Sequence, residues 1–201
     1  MKQQVAFITW ATPKENYQSY YDYLENKIDY NPYSSSFLNW NKTLWEYLGE
    51  DFEYLRSPSC KEKYADYEAW KILFEKMFPY FRDWLIIATT SLWSTFIIKY
   101  LCENTFPVEI KRLIMVAAAI GDTDQEKLGT FTLDKNKIHT ISNQVHDIIC
   151  YHSTDDQTVP FSDFIKLQEY FPDATFRKFH DRGHFFLEER LPEIEEDIKK
   201  A

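Results

Sequence analysis

The chain has 201 residues, 44% of them hydrophobic and 27% charged, which suits one folded domain with a sizeable core and excludes a disordered chain. A formal charge of -9 argues against nucleic acid or an anionic membrane surface as partner. No apolar run reaches the roughly 18–20 residues of a membrane span.

The amino-terminal Met1-Lys2-Gln3-Gln4 leads into a strand without a signal-peptide pattern, so a cytoplasmic location is expected. Three widely spaced cysteines, Cys60, Cys102 and Cys150, suit the same reducing compartment. Aromatic residues make up 18% of the chain, yet there are only four glycines, where average usage would give about fourteen.

In chain order, Val5 to Thr9 reads as a buried strand and Lys14 to Asn26 as a tyrosine-rich helix. Residues 29–36, with Asn31-Pro32, form a connector. A second helix from Phe37 to Leu48 places Phe37, Trp40, Leu44, Trp45 and Leu48 on one face and stops at Gly49. Phe52 to Arg56 is the second strand, residues 57–64 are a loop, and Asp66 caps a helix running to about Phe78. Trp84 to Lys99 is a strand that turns straight into a helix, with Ser91 at the turn. Further strands are expected at Ile110 to Ala118, Asp147 to His152 and Thr175 to Phe179, and helices at Phe161 to Phe171 and Leu187 to Lys199. The Glu188 to Asp197 stretch reads as a solvated acidic face.

Strands separated by helices imply βαβ units and a sheet covered on both faces. The expected architecture is a three-layer α/β/α sandwich: a doubly wound, mainly parallel sheet of about six strands, in a single domain spanning 1–201 with no large lid. In such sheets reactive groups gather at the carboxyl ends of the strands. Three candidates sit there in the order Ser91, then Asp155-Asp156, then His184. That order is the one in which a nucleophile, an acid and a base occur in α/β-hydrolases, where the histidine takes the serine's proton and the carboxylate orients the imidazole.

Over nearly its full length the chain resembles the small serine hydrolases of the retinoblastoma-binding-protein and bacterial esterase-like group. The resemblance rests on Phe7-Ile8, Ala65-Asp66-Tyr67-Glu68-Ala69-Trp70, Ser91-Leu92, Asp155-Asp156 with Val159-Pro160, and Asp181-Arg182-Gly183-His184-Phe185. It implies Ser91 as nucleophile, Asp156 rather than Asp155 as triad acid, since that acid lies three residues before the valine of Val-Pro, and His184 as base. It also implies oxyanion N–H donors at Leu92 and, from the first loop, Ala11.

The chain departs from the family pattern at both oxyanion segments. Thr9-Trp10-Ala11 stands where His-Gly-Gly is usual, and Thr89-Thr90-Ser91-Leu92-Trp93-Ser94 stands where Gly-His-Ser-Leu-Gly-Gly is usual. The pattern reads as an engineered or diverged member with a rebuilt aromatic pocket lined by Trp10, Thr90, Trp93 and Cys60, with Trp45 adding aromatic surface. The indole of Trp93 has two directions open, into the helix packing or into the pocket.

Cys60 is also a conceivable replacement nucleophile, while Cys102 and Cys150 read as core. His180 and His184 are four apart, but the turn at Gly183 breaks the helix that would align them, so no metal is expected, and no cofactor. The expected activity is a weak carboxylic-ester hydrolase with a Ser-His-Asp triad and an altered oxyanion hole, acting on a small-molecule ester or aromatic ligand. The alternative is a non-catalytic binder of a small molecule or protein on the same scaffold. Oligomeric state is not legible.

Overall fold

The computed structural model describes residues 1–8, 25, 40–57, 66–122, 128–185, 188 and 190–201. The expected helix at 14–26 apart from Glu25, the connector at 29–36, Phe37, the side chain of Trp40, and Trp10, Ala11 and Cys60 lie outside the described residues.

The strands are β1 (Gln3–Ile8), β2 (Phe52–Arg56), β3 (Leu85–Thr90), β4 (Ile110–Val116), β5 (Ile148–Ser153) and β6 (Thr175–Phe179). The helices are α1 (Trp40–Leu48), α2 (Tyr67–Glu75), α3 (Leu92–Glu103), α4 (Phe161–Tyr170) and α5 (Pro192–Lys199). Among the described residues the strands form one parallel sheet in the order β2-β1-β3-β4-β5-β6. The described residues contain no lid domain.

Apolar residues occupy both faces of the central strands, as a sheet covered on both sides requires. Ala6, Ile8, Ile87, Leu113 and Met115 face one core with α2, α3 and α4. Val5, Phe7, Ile86, Ala88, Ile114 and Val116 face the other with α1 and α5. The chain steps outward from β1 to β2 and then returns to the far side of β1 with β3. A doubly wound sheet opens its crevice where the strand order reverses, here at the carboxyl ends of β1 and β3.

Asp66 caps α2, accepting the Ala69 N–H at 3.0 Å, and the helix ends at Glu75, where a 3-10 turn (Phe78–Tyr80) takes over. A 3-10 segment over Lys135–Asn143, absent from the sequence reading, buries Ile138 and Ile141 against the first core. Its pattern is too short and polar to announce itself as a helix.

Two expectations are corrected. Trp45 is 48% exposed, while Leu44 and Leu48 carry the buried face of α1 among the described residues. Trp45→Ala should therefore change stability by less than about 0.5 kcal/mol in urea unfolding. The acidic carboxyl-terminal helix is not a solvated face throughout either, because Glu195 and Asp197 are buried. Each is there because an arginine meets it. Arg190 binds both carboxylate oxygens of Glu195 at 2.7 Å. Arg177 binds Asp197 at 2.9 and 3.1 Å, and the Tyr151 hydroxyl donates to the same carboxylate.

Burial alone pushes the Asp197 carboxyl upward, but the hydrogen bonds from Arg177 and Tyr151 outweigh it and hold it below the usual value. A carboxyl depressed in the folded state contributes stability that is complete above its unfolded pKa, about 3.9, and fades as pH falls through the lower folded value. Asp197→Asn should thus cost about 1–2 kcal/mol at pH 7, and urea titrations at progressively lower pH should show the gap to wild type closing.

Candidate active site

At the end of β3 the chain turns with no intervening loop, so Ser91 takes φ 50° and ψ -129°. A side-chain-bearing residue is rarely found there, because its Cβ crowds the backbone. The turn is held because the Ser91 N–H donates to Val116 O at 2.9 Å and the Ser94 N–H donates to Ser91 O at 3.0 Å. Leu92 is the first residue of α3. Its N–H is therefore one of the amides a helix N-terminus leaves without an intrahelical acceptor.

The residues that stand where the resembled pattern has glycine are accommodated individually. Thr89 and Ser94 are both fully buried, and their hydroxyl oxygens lie 2.9 Å apart. Thr89 donates its proton to Ile114 O at 3.2 Å, which leaves Ser94 as donor to Thr89. Where the family pattern has glycine to let strand and helix approach, this chain bridges the gap with a hydroxyl pair.

Trp93 takes the first of its two directions, into helix packing. It is 4% exposed, with its ring 4.1 Å from Trp70 and edge-on to Phe96 at 5.2 Å. Neither the Trp70 nor the Trp93 indole N–H has a hydrogen-bond partner among the described residues. Thr90, half-buried, is the last residue of β3 beside Ser91.

The acid comes from the turn after β5. Asp156 Oδ1 accepts the N–H groups of Thr158 at 2.8 Å and Val159 at 2.9 Å. The other oxygen, Oδ2, lies 2.7 Å from His184 Nδ1. Since the carboxylate accepts, Nδ1 carries the proton and Nε2 carries the lone pair. His184 Nε2 lies 3.2 Å from Ser91 Oγ. Three residues from the ends of three strands thus form one line from serine to carboxylate.

The two adjacent aspartates divide the work. Asp155 takes the hydroxyl proton of Ser153 and the Gly183 N–H at 3.0 Å, while the Arg182 N–H reaches Ser153 Oγ at 3.1 Å. The Ser153 hydroxyl, assisted by the Gly183 amide, holds the Asp155 carboxyl below its usual value. Asp155 fastens the loop that carries the histidine, and Asp156 binds the imidazole. Phe185, at φ 57° and 1% exposed, anchors the other side of His184 in the core against Phe179.

His180 points elsewhere, with Nδ1 2.9 Å from the Thr154 hydroxyl. Cys150 is buried and its thiol is pushed far up by desolvation. Burial also pushes Cys102, which is half-buried, up to about 11. Neither has the lowered pKa of a nucleophilic thiol. The sequence reading missed His152, the fully buried penultimate residue of β5, four positions before Asp156. Its place at the carboxyl end of a central strand was the available signal.

No family model matches the chain, and no curated protein does. Solved structures do. The ydeN gene product from B. subtilis superposes with a TM-score of 0.73 at 19% identity, covering 99% of this chain and 98% of that one. The meta-cleavage product hydrolase from Pseudomonas fluorescens IP01 gives 0.69 at 13% identity, with coverage of 98% and 89%. Est1E from Butyrivibrio proteoclasticus gives 0.60 at 12% identity, with coverage of 99% and 86%. With the parallel sheet, the elbow at Ser91 and these superpositions together, the chain has the α/β-hydrolase fold.

Proposed function

We propose that the protein is a serine hydrolase of small carboxylic esters, with Ser91 as nucleophile, His184 as general base and acid, and Asp156 as the group that orients and stabilises His184. The observation that carries this reading is the hydrogen-bonded line from Ser91 Oγ through His184 to Asp156, with Ser91 on a strained strand-to-helix turn. In the first half-reaction Ser91 Oγ attacks the ester carbonyl while its proton passes to His184 Nε2. The imidazolium is stabilised by Asp156, and its proton then goes to the departing alkoxide. Water repeats the sequence on the acyl-serine, with His184 again as base, and releases the carboxylic acid.

The developing oxyanion lies within reach of the Leu92 N–H, a backbone donor that no side-chain replacement in the elbow removes. Ala11 remains the proposed second donor. The glycine replacements bear on shape more than on this donor, so the reading is of a working but slow esterase with a reshaped acyl site. Esterases among the fold neighbours support the ester class.

The test is intact-mass spectrometry after incubation with a fluorophosphonate, with Ser91→Ala alongside. A mass gain in the wild type that the variant lacks is the expected result. A folded wild type that takes no adduct would sink the hydrolase reading and leave a binder on a hydrolase scaffold, followed through tryptophan fluorescence.

A further inference from the structure

His152 lies at the carboxyl end of β5, with no exposed surface, directly behind the turn that carries Asp156. Its Nε2 is 3.1 Å from Val159 O and 3.9 Å from Asp156 Oδ2. A carbonyl only accepts, so Nε2 carries the ring proton and donates it to Val159. The same Val159 gives its own N–H to Asp156 Oδ1. Val159 is fully buried and precedes Pro160, so its carbonyl has no water to turn to. The imidazole therefore completes a closed set of bonds: strand end to Val159 carbonyl, Val159 amide to carboxylate, carboxylate to His184.

The other ring nitrogen, Nδ1, has no hydrogen-bond partner among the described residues. The ring lies against Phe161 at 5.8 Å and Phe164 at 5.7 Å, both from α4. A second proton would put an unpartnered N–H against those rings. The charged groups that face it are Asp156 in its own turn, Asp163 on α4 and His184 on the loop after β6. Burial outweighs the two carboxylates and pushes the imidazole below its ordinary value, so the ring stays neutral. A neutral ring neither cancels the Asp156 charge nor competes with His184 for Oδ2.

We propose that His152 is a positioning residue for the Asp156–His184 pair, acting through Val159 as a buried neutral donor that fixes the carboxylate's orientation. The catalytic consequence rests on the hydrolase reading; the geometric one does not. A glutamine amide nitrogen reaches about as far along the side chain as Nε2, whereas asparagine reaches only as far as Nδ1, and leucine has no donor.

The experiment compares His152→Gln, His152→Asn and His152→Leu in the full chain. It measures kcat and KM for a p-nitrophenyl ester, the rate of fluorophosphonate labelling, thermal midpoint, and the low-field proton resonance of His184 Nδ1–H. Expected is a fall of about tenfold in kcat and labelling for the Leu and Asn variants with KM unchanged, and recovery in the Gln variant. The low-field resonance should persist in wild type and Gln and broaden or vanish in Leu and Asn. Unchanged rates and resonance in the Leu variant would overturn the proposal, as would losses that merely follow the thermal midpoint across all three variants. A wild type that takes no probe but loses the resonance on His152→Leu would end the hydrolase reading and leave the positioning role standing.

Discussion

Ser91→Ala is expected to lower kcat for ester hydrolysis by about 10⁴- to 10⁶-fold, and His184→Ala by a similar factor, while the double variant is no worse than either alone. The reason is that the two groups act as one unit. Without the Ser91 hydroxyl the base has no proton to take, and without Nε2 at 3.2 Å the hydroxyl keeps its proton. Asp156→Asn should cost about 10⁴-fold, because an amide that donates to Nδ1 stabilises the wrong tautomer. Hydrolysis that survives Ser91→Ala in single-turnover measurements would place the chemistry elsewhere.

The same position makes a separate prediction about stability. Ser91 bears φ 50°, and that conformation burdens any residue with a Cβ. Ser91→Gly should raise stability by about 1 kcal/mol while abolishing labelling, whereas Ser91→Ala keeps the strain. Urea unfolding of the two variants side by side distinguishes strain relief from loss of the hydroxyl. A glycine variant less stable than the alanine one would contradict the strain argument.

Placing at position 93 the glycine of the resembled pattern is expected to damage the protein. Trp93 is a core residue, 4% exposed, seated on Trp70 and Phe96. Deleting an aromatic side chain from a packed core costs about 3–5 kcal/mol, and glycine inside a helix adds about 1 kcal/mol. Against a net stability of about 5–15 kcal/mol for an ordinary domain, Trp93→Gly should be largely unfolded or insoluble at 37 °C. Trp93→Phe should be far milder, below about 1.5 kcal/mol, since it keeps most of the ring packing and removes a buried N–H without a partner. A stable Trp93→Gly with a cooperative urea transition would show that the indole is not part of the core.

Much of the architecture was readable from short apolar runs, because a strand buried on both faces advertises itself by composition. Phe52–Arg56 and Thr175–Phe179 match their expected bounds, and the others differ at the ends by a residue or two. The Ser, Asp, His order was also readable, since strand ends in a doubly wound sheet converge whatever lies between them. Of the two adjacent aspartates, Asp156 is the one hydrogen-bonded to His184.

Other features depended on which side chains meet in space. Periodicity placed Trp45 on the apolar face of its helix, but nothing covers that flank among the described residues, and it is half exposed. Glu195 and Asp197 read as surface charges because their arginine partners are on other segments, one of them twenty residues away on β6. The elbow without glycines read as part of a rebuilt pocket, because the Thr89–Ser94 hydroxyl pair and the Trp70–Trp93 stack exist only once strand and helices are packed. His152 was silent, a histidine at the end of an apolar strand, until folding placed it behind Asp156.

By itself, then, the amino-acid sequence determined the alternation of strand and helix, the sheet class, and the chain order Ser91, Asp156, His184 at the strand ends, because these follow from local pattern and chain order. Only the tertiary structure decided the direction of Trp93, the neutral state of His152 and the distances along the Ser91–His184–Asp156 line, because each is set by packing and desolvation between segments far apart in the chain.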